Sequence, residues 1–175
     1  MMTKKTMAGH ALLLWGALSA QGMSEDNLHF TGQLISSACT LVITGNNLAD
    51  VTFPVLNIKD LQKRGQSVRV PFILQLKDCN TALGTGVTVT FSGTEVSDTA
   101  GILALDGQSQ AEGVGIGIET AEGNPVAING SSGATFVLNN GQNSLNFNAW
   151  VQTIPGAEMT PGRFSATATA AFEYL

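Results

Sequence analysis

The chain has 175 residues, of which 43% are hydrophobic and 12% charged, and it contains 20 glycines and 5 prolines. This composition fits one globular domain with many turns and excludes intrinsic disorder. The formal net charge is -5, and no basic face is available to neutralise phosphates. We therefore expect no nucleic-acid partner.

The amino terminus has the pattern of a secretory signal peptide. Lys4 and Lys5 precede an apolar run at 11–18 (ALLLWGAL), and small residues follow it. The run is shorter than the roughly 20 apolar residues needed to span a bilayer. The pattern predicts a signal peptide of residues 1–20, cleaved after Ala20 or, nearly as well, after Gly22. We expect an exported protein.

Cys39 and Cys79 are the only two cysteines. In an exported chain, a lone pair of cysteines most simply forms one disulfide. A metal or thiol site is the alternative, but the pair lacks CxxC spacing and the chain has only two histidines. We predict a structural Cys39–Cys79 disulfide, whose closed loop is worth roughly 3 to 4 kcal/mol. No metal and no cofactor are expected.

Period-two alternation of apolar and polar residues runs through the chain and predicts an all-β antiparallel fold. The long predicted strands are 68–77, 87–92 and 145–152, and the shorter ones are 39–44, 51–56, 102–105, 114–119, 126–128 and 134–138. One helical turn is predicted at 58–64 (IKDLQKR). The Asn- and Gly-rich breaks at 45–47, 129–133 and 139–141 predict hairpin turns. The GVGIGI run alternates within a predicted strand, so it is not interpreted as a nucleotide loop.

The segment 162–175 (GRFSATATAAFEYL) alternates over its whole length and predicts a strand at the end of the chain. Its apolar parity consists of Phe164, Ala166, Ala168, Ala170, Phe172 and Tyr174. Alanines fill little volume, so this face is predicted to leave a shallow apolar channel unless something larger lies beside it.

A second alternating segment follows the predicted signal peptide. Its apolar parity consists of Leu28, Phe30, Gly32 and Leu34. This strand could pair within its own domain, or it could protrude and pair with an open sheet edge of another copy. Gly32 fits either a close backbone approach or a bend in the strand.

The sequence resembles the pilin subunits of chaperone-usher fimbriae, particularly type 1-like minor pilins. The resemblance covers nearly the whole mature chain. It rests on the order and spacing of several short motifs: SSACTL at 36–41, PFILQLKDC at 71–79, VTFSG at 89–93, ILAL at 102–105, EGVGIGIE at 112–119, and the last strand with Gly162 and Tyr174.

The resemblance implies an incomplete immunoglobulin-like β-sandwich that lacks its seventh strand, with the gap beside the last strand. It implies a donor-strand extension at 21–35 and a pilin domain at 36–175. A donor strand from another subunit would complete the fold. The predicted acceptor groove, which also binds the chaperone, comprises Gly162, Phe164, Ala166, Ala168, Ala170, Phe172, Tyr174 and Leu175.

The partners implied are a periplasmic pilus chaperone, an outer-membrane usher and neighbouring pilus subunits, and the implied location is a cell-surface fimbrium. Basic residues of the chaperone would hold the carboxylate of Leu175. The donor residues Leu28, Phe30, Gly32 and Leu34 would enter the groove of the subunit ahead. The resemblance favours a minor adaptor subunit near the tip, with a major rod pilin as the alternative.

Two other classes of protein are alternatives. An enzyme is not expected, because His10 lies in the predicted signal peptide and His29 in the extension, and because the carboxylates of Glu119 and Glu122 are predicted to be solvated. A secreted carbohydrate-binding sandwich would need an exposed aromatic platform. Trp150 has the parity of the polar residues in its strand, so it is predicted to be either exposed or covered by a loop.

Overall fold

The computed structural model describes residues 37–42 and 50–175. Within them lie seven strands and one helix. The strands are β1 (Thr40–Val42), β2 (Val70–Cys79), β3 (Gly86–Gly93), β4 (Val114–Thr120), β5 (Ala134–Val137), β6 (Gly141–Thr153) and β7 (Ala168–Tyr174), and the helix is α1 (Ile58–Arg64). None of the described helical residues forms a segment long and apolar enough to cross a membrane.

The strands form two antiparallel sheets, one with the order β1-β2-β6-β4 and the other with the order β5-β3-β7. An immunoglobulin constant-type sandwich has the sheets A-B-E-D and C-F-G. The four-stranded sheet reproduces the first order, and β3 and β7 correspond to strands C and F. No described strand occupies the position beside β7 that strand G would fill. The fold is therefore an immunoglobulin-like sandwich that lacks strand G, the seventh strand of the immunoglobulin order.

The core lies between the sheets and is centred on β3 and β6. Its fully buried side chains are Leu76, Val87, Val89, Ile128, Leu145, Phe147 and Val151. The ring of Phe147 packs against Phe72, Phe91 and Phe136, with ring centroids 5.3 to 5.4 Å apart. These contacts follow from the alternation along each strand, which places one parity on the inner face.

Strand β4 is buried on both of its faces. Ile116 and Ile118 point into the core, while Gly117 on the other parity lies directly beneath the indole of Trp150. Any Cβ at position 117 would overlap that ring. The glycines of GVGIGI therefore allow close packing on the outer face of a strand, and the prediction of a strand here is confirmed.

Helix α1 matches the predicted bounds because its ends are marked in the sequence. The side chain of Asn57 accepts a hydrogen bond from the main-chain N–H of Lys59 at 2.9 Å. Gly65 ends the helix with a left-handed φ of 77° and donates its N–H to Leu61. Both are standard helix-capping arrangements.

Several predicted strands and turns differ from the structure. Strand β7 begins at Ala168 rather than at 162, and 51–56 is not a strand. The predicted strands at 102–105 and 126–128 are reduced to isolated bridges. The break at 139–141 is not a hairpin turn, because β5 and β6 belong to different sheets. The prediction of a turn at 45–47 lies outside the described residues.

Candidate functional site: an open groove along the last strand

The inner face of β7 is only half covered. Ala168, Ala170, Phe172 and Tyr174 all point toward the core, and all four are of intermediate exposure. Their neighbours on β3, Val87 and Val89, are completely buried. Strands β3 and β7 pair along the whole length of β7. The greater exposure of the β7 side chains therefore arises on the side of β7 away from β3, where apolar side chains remain open to solvent.

The opposite wall of this open region comes from the four-stranded sheet and the segment before α1. Phe72 and Leu74 on β2 are half-buried on the inner face. Val51, Phe53 and Leu56 are likewise partly exposed and pack against the core, with the ring of Phe53 5.9 Å from that of Phe164. The two walls enclose an elongated apolar groove, which we call the β7 groove.

The main chain along the β7 groove is available for pairing. Strand β7 has a single neighbour in its sheet, β3. On the opposite wall, residues 51–56 make no main-chain hydrogen bond to any other described residue. Buried main-chain N–H and C=O groups require partners, and an edge strand without one is a template for an incoming strand.

The groove extends past the start of β7. Residues 163–167, which precede β7, are bordered by the loop 106–111 instead of by β3. Ser165 accepts hydrogen bonds from the N–H of Asp106 at 2.8 Å and from the hydroxyl of Ser109 at 3.1 Å. The hydroxyl of Thr167 donates to Asp106 at 3.2 Å. These bonds hold Phe164 and Ala166 in line with the inward residues of β7, where they too remain half-buried.

At its other end, the groove is bounded by the disulfide. Cys39 and Cys79 are bonded and both are buried, so the predicted disulfide is confirmed. The hydroxyl of Tyr174 donates to the main-chain oxygen of Cys39 at 3.4 Å, which links the end of β7 to β1.

The predicted groove residues fall into two sets. Phe164, Ala166, Ala168, Ala170, Phe172 and Tyr174 share the inward side and line the groove. Gly162 does not line it, because it lies against the main chain of Gln110, where a Cβ would collide. Leu175 points outward and is 58% exposed, while its main-chain oxygen accepts a hydrogen bond from the N–H of Thr85 at 2.8 Å.

The other predicted site residues cannot be placed in the same way. The donor residues Leu28, Phe30, Gly32 and Leu34, and the predicted boundaries at 20 and 35, lie outside the described residues. Among the described residues, no group of three or more His, Cys, Asp or Glu side chains could hold a metal ion.

The opposite wall of the groove was not predicted from the sequence. Phe53, Phe72 and Leu74 lie in segments whose alternation was recognised, but alternation shows only which residues share a face. The sheet topology is needed to show that this face borders the same opening as β7.

Trp150 lies on the outer face of the four-stranded sheet and is 7% exposed. The guanidinium of Arg69 lies over its ring at 4.5 Å from the centroid, and Gly117 lies beneath it. Arg69 also forms two hydrogen bonds with Glu119, at 3.1 and 3.2 Å. Trp150 is thus covered by Arg69 of the loop between α1 and β2, which agrees with the prediction that a loop covers it. Glu119, predicted to be solvated, is 8% exposed. The ring offers no platform for a sugar.

Comparison with known proteins agrees with this architecture. The chain matches the family described as Fimbrial protein over residues 28–175. It is 47% identical over 172 residues to the uncharacterized fimbrial-like protein YfcP of Escherichia coli K12, with 96% of each chain covered. It is 32% identical to the probable major fimbrial subunit LpfA of Escherichia coli O157:H7, covering 92% of this chain and 90% of that one.

Solved structures show the same fold. The P pilus rod subunit PapA superposes with a TM-score of 0.69 at 25% identity, covering 79% of this chain and 100% of that one. A subunit in the structure of a chaperone-usher pilus gives a TM-score of 0.68 at 25% identity, with 87% and 97% covered.

The chain therefore belongs to the fimbrial protein family. The resemblance to chaperone-usher fimbrial subunits and the predicted incomplete immunoglobulin-like fold are confirmed. Members of this family are exported and assembled into cell-surface pili, and the family is one of structural proteins rather than enzymes.

Proposed function

We propose that this chain is a structural subunit of an adhesive chaperone-usher pilus and that it polymerises by donor-strand exchange through the β7 groove. The observation that carries the proposal is the row of half-buried residues on the inner face of β7, beside the position of the missing strand. A strand laid there would cover the exposed apolar side chains and pair with the free edge of β7.

In this proposal, residues 1–20 are removed as a signal peptide, 21–35 form the donor extension and 36–175 form the pilin domain. A periplasmic chaperone first fills the groove of the exported subunit, and the subunit then passes to an outer-membrane usher. There, the extension of the next subunit replaces the chaperone strand. The extension of this subunit enters the groove of the subunit ahead.

The donor side chains suit the groove by size. Alanines at 168 and 170 leave room for large apolar side chains such as Leu28 and Phe30. Burying Leu28, Phe30 and Leu34 at about 1.5 to 3 kcal/mol each gives roughly 5 to 9 kcal/mol, before main-chain hydrogen bonds and the cost of ordering the strand. Gly32 would permit close main-chain approach.

Thermal unfolding of the purified mature chain tests this proposal, alone and with a synthetic peptide of residues 24–36. The peptide is expected to raise the unfolding temperature strongly, because it binds the folded state alone. The matched control is the same peptide with Phe30→Asp, which is expected to raise it little. A chain that unfolds at the same temperature with either peptide would contradict donor-strand pairing.

The position of the subunit along the pilus has two candidates. The likeness to type 1-like minor pilins favours an adaptor near the tip. A rod position is favoured by one solved structure and one sequence relative, since PapA is a rod subunit and LpfA is described as a probable major subunit. Quantitative mass spectrometry of sheared pili separates the two, because an adaptor is present in few copies per fibre and a rod subunit in many.

A further inference from the structure

The chain contains three steps at which an Asp or Asn precedes a glycine. They are Asp106–Gly107, Asn129–Gly130 and Asn140–Gly141. At such a step the main-chain nitrogen of the glycine can attack the side-chain carbonyl carbon of the preceding residue, because glycine has no Cβ to obstruct the approach. In a folded protein, the rate of this attack depends on how firmly hydrogen bonds hold the two reacting groups.

The step Asn129–Gly130 is held at both reacting groups. The side-chain amide of Asn129 donates to the main-chain oxygen of Gly93 at 2.9 Å and accepts from the N–H of that glycine at 3.2 Å. The N–H of Gly130 donates to the main-chain oxygen of Ala127 at 3.2 Å. Attack at this step would break all three hydrogen bonds.

The step Asn140–Gly141 is held by the start of β6. The side-chain oxygen of Asn140 accepts hydrogen bonds from the N–H of Thr81 at 2.9 Å and from its hydroxyl at 3.0 Å. Gly141 is the first residue of β6 and pairs with Cys79 on β2. Attack would therefore require the end of β6 to leave the sheet.

The step Asp106–Gly107 is much less restrained. Gly107 is exposed, and its N–H makes no hydrogen bond to any described residue. No atom lies within 4 Å of a Cβ placed at that position. The carboxylate of Asp106 is held by one bond, from the hydroxyl of Thr167 at 3.2 Å. The attacking nitrogen is therefore free, and the target carboxyl is held by a single exposed hydrogen bond.

We propose that Asp106–Gly107 is a site of spontaneous isomerisation to isoaspartate in the folded subunit. The nitrogen of Gly107 forms a bond to Cγ of the protonated Asp106 carboxyl, and the N–H proton and the carboxyl hydroxyl leave as water. The product is a five-membered succinimide ring. Water then breaks the bond from nitrogen to Cγ, which restores aspartate, or the bond from nitrogen to the main-chain carbonyl carbon, which gives isoaspartate. One water is released and one is taken up, so the mass of the chain is unchanged.

Isoaspartate at 106 would alter one end of the β7 groove. The N–H of Asp106 donates to Ser165 at 2.8 Å while its carboxylate accepts from Thr167. In isoaspartate the main chain gains one CH2 and the carboxylate loses one, so the two bonds no longer fit together. Phe164 and Ala166, which those bonds hold in line with β7, lose their support. We expect an isomerised subunit to bind a donor strand less well, and this consequence rests on the proposed function whereas the isomerisation does not.

Incubation of the purified mature chain near neutral pH tests the site, with one sample folded and one unfolded in guanidinium. Peptide mapping with electron-transfer fragmentation identifies isoaspartate at each step, and all three steps are expected to react in the unfolded chain. Folding is expected to slow the reaction at 129 and 140 by at least about tenfold, and at 106 by less than about threefold, because hydrogen bonds hold only the first two steps firmly. Equal suppression at the three steps would overturn the proposal.

Gly107→Ala is the matched variant. Its backbone is outside the left-handed region and its surroundings are open, so alanine fits while its methyl group obstructs the attack. Isoaspartate at 106 is expected to fall severalfold with no change in the unfolding temperature. An unchanged rate would contradict attack by the Gly107 nitrogen.

Calorimetric titration with the donor peptide 24–36 tests the consequence for the groove. After incubation, the isomerised fraction of the original chain is expected to bind the peptide severalfold more weakly than Gly107→Ala incubated in parallel. Isoaspartate at 106 with undiminished peptide binding would overturn the effect on the groove. A fresh chain that does not bind the peptide would overturn the proposed function and leave the modification site standing.

Discussion

Gly117 and Trp150 show at the scale of single residues how the outer face of the four-stranded sheet is packed. The indole lies flat over the glycine and is held from above by Arg69, whose guanidinium also bonds Glu119. A cation over an aromatic ring adds a modest attraction, and the ion pair orients the guanidinium. Trp150 can therefore lie in this place only because residue 117 is a glycine.

Replacing Gly117 by Val is expected to destabilise the domain by about 1 to 3 kcal/mol, because the added atoms force the indole out of its place. Urea denaturation followed by the fluorescence of Trp150 measures the change. Gly107→Ala is the matched control, since no atom lies within 4 Å of a Cβ at that position. Equal midpoints for both variants would show that Trp150 can move away at no cost.

At the scale of elements, β7 has one side that meets the groove and one that meets solvent. Ala170 is half-buried and points into the groove, whereas Ala171 is exposed on the outer side of the same strand. Both pair with β3, opposite Phe91 and Thr90 respectively. Adjacent alanines of equal size therefore differ only in the face that they occupy.

The variants Ala170→Asp and Ala171→Asp exploit this difference. A carboxylate at 170 would have to be buried beneath the incoming strand, so we expect it to reduce binding of the donor peptide by at least about tenfold. At 171 the carboxylate stays in water, and binding is expected to be unchanged. Calorimetric titration of the peptide measures both. Similar affinities for the two variants would show that the donor strand does not cover this part of β7.

The elements differ in how well the sequence predicts them. Helix α1 was predicted with its correct bounds because Asn57 and Gly65 mark its ends locally. The last strand was predicted to begin at Gly162 because alternation continues to that point, yet residues 163–167 bond to the loop 106–111 instead of a strand. Alternation shows which residues face inward. It does not show which neighbouring segment supplies the main-chain hydrogen bonds.

The same limit applies to the groove. The inward residues of β7 could be predicted from their parity, and their incomplete burial from the run of alanines. The opposite wall, with Phe53 and Phe72, could not be predicted, because it depends on which strands become neighbours across the sandwich. The order of strands in a sheet is a long-range property that no short segment encodes.

At the scale of the whole molecule, the disulfide joins residues 40 positions apart and links β1 to the end of β2. Removing it with Cys39→Ser and Cys79→Ser together is expected to lower the free energy of unfolding by roughly 3 to 4 kcal/mol, because the unfolded chain regains the freedom of a long loop. Urea denaturation measures the loss. The single variant Cys79→Ser serves as a control for the effect of a free thiol, and an unchanged midpoint in the double variant would contradict the expected role.

The pairing of β3 with β7 has a consequence for how quickly the domain forms. Val87 meets Tyr174, and β2 meets β6 across a similarly long stretch of chain. Domains dominated by such distant contacts fold slowly, because a large loop must close before any native pair forms. During that time the apolar side of β7 has no cover at all. The time spent searching for β3, as much as the final stability, then determines how much of the chain is lost to aggregation, and a partner strand supplied early would shorten that exposure.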